Sequence, residues 1–232
     1  MTCPESGMPI SYRLLAPLTA LCALIAILSQ SGLWLPREWG YVAKPLTTLL
    51  IIAHAMQRGR ATPQLRRWVL AGLWFSLVGD IALMWPKEGF LPGLVAFLIA
   101  HLCYLWAFTR LQGLAAWPWP FVFYALLAGG ILSGLWSGVP EALRVPVLAY
   151  VLCLSAMGAQ AAVVGWRARG TAEARRHAVL ALGGLLFVIS DAFLATNKFA
   201  GPLPLASVWV LSTYWAAQWC IASGLARSRS AS

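Results

Sequence analysis

Eight apolar stretches follow one another along this chain with almost nothing between them, at about residues 12–31, 41–57, 66–85, 89–111, 118–138, 141–166, 176–199 and 203–226. Each holds roughly 17–26 residues, enough at 1.5 Å per residue to cross a hydrocarbon core about 30 Å thick. The connections are short and often carry proline or glycine: Leu35-Pro36, Trp85-Pro86, Trp117-Pro118, Gly138-Val139-Pro140 and Gly201-Pro202. They leave no room for a water-soluble domain. In lipid, backbone polar groups must pair within their own segment, and a helix achieves that. The expected architecture is all-α, a polytopic transmembrane helix bundle of eight spans over residues 12–226, with a segment 1–11 before it and a tail 227–232 after it. Charged residues make up only 10% of the chain, against about 25% in soluble domains. The stretch from Tyr12 to Gln30 could pass for a signal peptide, but more spans follow and no small-residue cleavage site is evident. It reads as a retained span.

The net charge is +10. Its placement argues against nucleic acid, because the cations cluster in short connections between spans. Arg58, Arg60, Arg66 and Arg67 flank the 2–3 connection, and Arg167, Arg169, Arg175 and Arg176 flank the 6–7 connection. Arg110, Arg227 and Arg229 fall on the same side. The opposite side carries the near-neutral pairs Arg37/Glu38, Lys87/Glu88 and Glu141/Arg144, plus Lys198. The positive-inside rule puts both termini in the cytoplasm. Tryptophans near span ends (Trp34, Trp39, Trp85, Trp117, Trp119, Trp166) read as an interfacial belt. The five cysteines show no CxxC spacing, so neither a disulfide framework nor a zinc site is expected.

Only two aspartates occur, Asp80 and Asp191, and both lie within apolar stretches, whereas the five glutamates fall at the N-terminus or in connections. A carboxylate at membrane depth is costly and usually faces a partner, a cavity or a reaction. The third and seventh spans both run outward, which puts Asp80 ~8 Å and Asp191 ~12 Å below the outer boundary. Other polar residues gather at that depth. Lys44 opens the second span from the outer side, and Asn197 and Lys198 end the seventh. His101 and Tyr104 share a face of the fourth, and Tyr214 and Gln218 a face of the eighth. Residues from five spans are thus positioned to line one polar pocket open to the outer side. Each also has a structural role open to it: the aspartates as partners of Lys44 or backbone, the lysines snorkelling to head groups, the others as interhelical hydrogen bonders.

No HExxH, GxSxG, Walker-type loop or Cys/His cluster occurs, and no metal or cofactor is expected. What remains is acid–base work by a carboxylate pair. Two carboxylates in one low-dielectric pocket do not both ionise easily, so one is expected to keep its proton.

At these residues the chain resembles the YhhN-type lysoplasmalogenase family of membrane hydrolases. The similar segments are Lys44-Pro45-Leu46-Thr47-Thr48, Gly79-Asp80-Ile81-Ala82-Leu83-Met84, Phe90 to Gly93, Ala96-Phe97, Ala100-His101-Leu102 and Tyr104. Ser190-Asp191-Ala192, Asn197-Lys198-Phe199, Tyr214 and Gln218 follow. The resemblance implies cleavage of the vinyl-ether bond of lysoplasmalogens to a fatty aldehyde and glycerophospho-ethanolamine or -choline. It also implies that Asp80 and Asp191 are the essential carboxylates. One would protonate the vinyl ether, and the other would stabilise the cation and activate water. Lys44 and Lys198 would bind the substrate phosphate, Lys44→Ala acting mainly on KM. His101, Tyr104, Asn197, Tyr214 and Gln218 would complete the substrate site. The expected partners are a lysophospholipid substrate and membrane lipid, and the expected location is a bacterial inner membrane with the site opening toward the periplasmic half. The competing reading is a small transporter or proton-coupled carrier using the aspartates as a relay. An inverted repeat would favour it, but the Gly-Asp and Ser-Asp segments suggest parallel halves.

Overall fold

The computed structural model describes residues 12–32, 34–85 and 87–226. The expected segments 1–11 and 227–232, with Arg227 and Arg229, lie outside the described residues, as does Pro86. The described residues form eight α-helices: α1 (Tyr12–Gln30), α2 (Arg37–Met56), α3 (Pro63–Ala82), α4 (Phe90–Thr109), α5 (Trp119–Leu135), α6 (Glu141–Arg167), α7 (Ala174–Phe199) and α8 (Ala206–Ser223).

Proline sets several of their starts. Pro36 and Pro140 take extended backbone immediately before α2 and α6, and Pro63 is the first residue of α3. A missing N–H costs nothing in the first turn, where no intrahelical partner exists. As a result α2 begins at Arg37 and α3 at Pro63, each a few residues before the apolar stretch itself. The charged residues of those first turns belong to the helices rather than to the connections. At the other end of α3 the helix stops at Ala82, and a turn follows in which Leu83 N–H donates to Gly79 O at 2.9 Å. Asp80 therefore sits in the last turn of its helix.

Six helices close a ring in the order α2, α3, α4, α6, α7, α8 and back to α2. The other two stand outside it: α1 packs on α2 and α8, and α5 packs chiefly on α6. Inside the ring lie Tyr104, Phe108, Met157, Leu180, Phe187 and Ile221, all fully buried. The outward faces are apolar too. Leu126 (73%), Val145 (75%) and Leu152 (70%) are largely exposed, which suits hydrocarbon and not water. By length and apolarity, α4, the stretch Trp119–Gly138, α6 and α7 qualify as membrane spans, and the apolar part of α1 is shorter. Charges within their length lower the apolarity of α2 (Arg37, Glu38, Lys44) and α3 (Arg66, Arg67, Asp80). The protein is an integral membrane protein.

The two ends of the bundle differ. At one end the 2–3 connection meets the chain's last described residue, with Gly59 N–H donating to Ala226 O at 2.7 Å. The 4–5 and 6–7 connections lie at this same end, and most of the arginines gather here. At the other end Ser207 Oγ donates to Gln30 O at 3.3 Å, and the Phe90 and Phe199 rings meet edge to face. Lys198 belongs to this second end. Trp119, Trp166, Trp34, Trp39 and Trp85 are exposed, spread over both ends.

Candidate active site

Asp80 reaches the interior because α3 presses closely on α4. A Cβ at Gly79 would lie 2.5 Å from the Phe97 ring, and one at Gly72 would lie 2.3 Å from the Tyr104 ring. Only glycine permits that approach, and it brings the next residue, Asp80, against α2 and α8. Asp80 Oδ2 accepts from Thr48 Oγ1 at 2.6 Å and from Tyr214 OH at 2.8 Å. Lys44 Nζ stands 3.8 Å from Asp80 Oδ1, and the two side chains are only 7% and 2% exposed. Lys44 and Thr48 are one helical turn apart, so α2 presents both to the same carboxylate. Trp215 Nε1 in turn donates to Thr48 Oγ1 at 3.3 Å.

Behind Tyr214 runs a directed relay. Tyr104 OH donates to Gln218 Oε1 at 2.9 Å, Gln218 Nε2 donates to Tyr214 OH at 2.9 Å, and Tyr214 donates to Asp80. Each donor points toward the carboxylate, so the bonds polarise one another in the same sense. Ser76 Oγ lies 3.4 Å from Tyr104 OH.

Asp191, midway along the second half of α7, has a sparser shell. Its Oδ2 accepts from Tyr150 OH of α6 at 2.6 Å. His101 Nε2 is 3.9 Å from the same oxygen, too far for a hydrogen bond. The His101 ring is fully buried, edge-on to Tyr150 and Phe187, and neither of its nitrogens has a hydrogen-bond partner among the described residues. It stands behind the Tyr150–Asp191 pair.

Both carboxylates face one cavity of about 200 Å³, at the Lys198 end of the bundle. Its polar lining includes Lys44, Asp80, Asp191, Asn197, Lys198 and Tyr214, and its apolar lining includes Phe90, Phe97 and Leu194. No hydrogen bond joins Asp80 to Asp191 among the described residues. Lys198 is exposed at the rim, its Nζ 4.6 Å from the centre of the Phe90 ring. Asn197 Oδ1 accepts from Leu203 N–H at 2.9 Å and so also pins the 7–8 connection. Tyr104, Gln218 and His101 sit deeper, as supports of the carboxylates rather than as part of this lining. Lys44, expected at the rim, is instead an inner partner of Asp80.

Sequence reasoning did not place Thr48, Tyr150, Ser76 or Trp215 in the site. Thr48 follows Lys44 by four residues, which is a usable signal. Tyr150 has none, as one aromatic among many in apolar helices. Among the described residues no three His, Cys, Asp or Glu side chains gather.

Comparison with known proteins covers the same ground. Pig (Sus scrofa) "Lysoplasmalogenase TMEM86B" is 35% identical over 232 residues, spanning 92% of this chain and 87% of that protein. Human (Homo sapiens) "Lysoplasmalogenase TMEM86A" is 34% identical over 191 residues, 78% of this chain and 74% of that protein. "Lysoplasmalogenase" of Mycobacterium bovis is 30% identical over 183 residues, 75% of this chain and 63% of that protein. No solved structure matches. A family model described as the YhhN family matches residues 39–225, which take in nearly all of α2 and everything from there through α8. With both aspartates and their partners inside that match, the chain belongs to the YhhN family.

Proposed function

We propose that this protein is a membrane hydrolase that cleaves the vinyl-ether bond of lysoplasmalogens, yielding a fatty aldehyde and glycerophospho-ethanolamine or -choline. The observation that carries this reading is the one cavity that the buried Asp80, the mostly buried Asp191 and Lys198 line, in a chain whose relatives are named lysoplasmalogenases.

The chemistry follows from the unlike surroundings of the two carboxylates. Asp80, with an ammonium and two hydroxyl donors around it, is equipped to carry negative charge. Asp191, with one hydroxyl donor and apolar neighbours, is the acid. Asp191 gives its proton to the β-carbon of the vinyl ether, and positive charge spreads over the α-carbon and the ether oxygen. Water adds to the α-carbon while Asp80 accepts its proton and stabilises the cation. The hemiacetal then collapses: its hydroxyl loses a proton as the carbonyl forms, the C–O bond to glycerol breaks, the glycerol oxygen takes up that proton, and the aldehyde leaves. The proton that Asp80 took from water passes through water in the cavity to Asp191, which restores both carboxyl groups to their starting states. Lys198 at the rim pairs with the substrate phosphate.

In a membrane, all eight helices span, and both termini lie with the arginine-rich end in the cytoplasm. The cavity then opens toward the periplasmic half of a bacterial inner membrane. The deciding experiment uses purified protein in detergent with lysoplasmenyl-ethanolamine. Stoichiometric aldehyde release supports the hydrolase. A carrier needs a sealed membrane, so vesicle transport without aldehyde release in detergent rejects it.

A further inference from the structure

The two helices outside the ring are not equivalent. Counted along the chain, α1–α4 and α5–α8 are two runs of four helices, and Asp80 lies on the third helix of the first run as Asp191 lies on the third of the second. In the first run α1 closes against α8, the last helix of the other run. The equivalent contact would set α5 against α4, yet no Cα of one of these helices lies within 8 Å of a Cα of the other. The unfilled notch is an apolar groove walled by α4, α5, α6 and α7.

We propose that this groove is the binding site for a single hydrocarbon chain, seated so that the chain's first carbons lie at Asp191. The proposal rests on the reading of the protein as a lysoplasmalogen hydrolase. Its walls are almost wholly apolar, with Leu94 from α4, Ala128 and Leu132 from α5, and Leu154 from α6. Asp191 and its partner Tyr150 are the main polar groups in it. The groove adjoins the polar cavity, with Phe90, Phe97, Leu194 and Asp191 lining both. From Val188 to Phe199, both in its wall, α7 rises roughly 16 Å, at 1.5 Å per residue. In a lysoplasmalogen the vinyl ether is the junction between a charged head and an alkyl tail. Asp191 occupies the matching junction in the protein, between the lysine-bearing cavity and the oily groove. One groove accepts one chain.

The test is a chain-length series. Referred to the concentration of free monomeric substrate in water, each methylene that enters the groove multiplies affinity about fourfold, so kcat/KM of the wild type on that scale climbs with length and levels off when the groove is full. Ala128→Trp fills part of the groove, so the levelling-off moves to shorter chains. The long-to-short preference falls roughly sixteen-fold if two methylenes are displaced. Leu132→Ala removes volume and moves the levelling-off the other way, so one arm survives if the bulky variant does not fold. A binding arm needs no turnover: the melting shift produced by lysophosphatidylethanolamines of increasing saturated chain length, in the same variants. A length profile that neither substitution moves, in catalysis or in binding, overturns the groove while leaving hydrolysis standing. Wild-type protein that binds these lipids with the stated length dependence but releases no aldehyde overturns the hydrolase and keeps the groove.

Discussion

A carboxylate is only as useful as the groups that fix its charge. Asp80 and Asp191 have the same side chain at similar depth, but one receives two hydroxyls and an ammonium and the other a single phenol. Asp80→Asn and Asp191→Asn keep the side-chain volume and remove the acid–base function. Each is expected to lower kcat for aldehyde release at least about 100-fold, the low end of what a positioned acid or base contributes, while the protein still inserts and melts as a folded species. Tyr150→Phe deletes the one hydrogen bond to Asp191. It is expected to lower kcat about tenfold, since a bond to a charged or acidic group is worth roughly 1.5 kcal/mol, with KM little changed. A Tyr150→Phe enzyme with unaltered kcat removes Tyr150 from the mechanism. Lys44 is a different case from the rim cation the sequence suggested. Buried against Asp80, it holds a charge in place, and breaking a buried pair costs about 3–5 kcal/mol. Lys44→Ala is therefore expected to lower kcat and melting temperature together, and the double variant Lys44→Ala/Asp80→Asn to regain part of the stability. An effect confined to KM returns Lys44 to head-group binding.

At the scale of helices, the site depends on how tightly α3 and α4 approach. Their contact uses Gly72 and Gly79, two helical turns apart on one face, each opposite an aromatic ring of α4. Tyr104 cannot easily give way, because its hydroxyl is committed to Gln218. Gly72→Leu is expected to destabilise the protein by about 1–3 kcal/mol through overpacking and to lower activity as the relay to Asp80 breaks. Gly129 in α5 is the control, since a Cβ there meets nothing within 4 Å. Gly129→Ala is expected to leave the stability unchanged or raise it by at most about 1 kcal/mol of helix propensity, read as an unchanged or higher melting temperature. Equal destabilisation by the two would mean that close packing is not what these glycines supply. Element positions were largely readable from the apolar runs, because a span must be long and apolar wherever it sits. What the runs did not reveal is which helices neighbour which. The stretches that became α4 and α5 are alike in apolarity, yet α4 is in the ring and α5 outside it. That outcome depends on side-chain fit between helices distant in sequence. The aspartates stood out because charge is rare in oil. Thr48 and Tyr150 did not, because hydroxyls and phenols are common there and only their partners distinguish them.

For the molecule as a whole, the remaining question is which way it sits in the bilayer. The fold ties the 2–3 connection to the end of α8, through Gly59 and Ala226, and the arginines of that connection share their end of the bundle with those of the 4–5 and 6–7 connections. That end carries Arg58, Arg60, Arg110, Arg167, Arg169, Arg175 and Arg176. The Lys198 end balances Arg144 against Glu141 at 3.4 Å, and pairs Arg37 with Glu38 and Lys87 with Glu88 in sequence. Translocating the first end would carry a large uncompensated charge across the membrane, and translocating the second would carry little. A reporter fused after Ser232 is therefore expected to report the cytoplasm, and one inserted at Gly201 the opposite side. The orientation bears on catalysis, because it decides which leaflet supplies the lipid. With the arginines inside, the cavity is expected to draw on the outer leaflet, and a substrate confined to the inner leaflet of a sealed vesicle is expected to cross before it is cleaved. A membrane-impermeant lipid-modifying reagent applied outside should then protect the substrate from hydrolysis in oriented vesicles. Hydrolysis that is unaffected by the reagent, together with a C-terminal reporter found on the outside, would reverse the orientation while leaving the site intact.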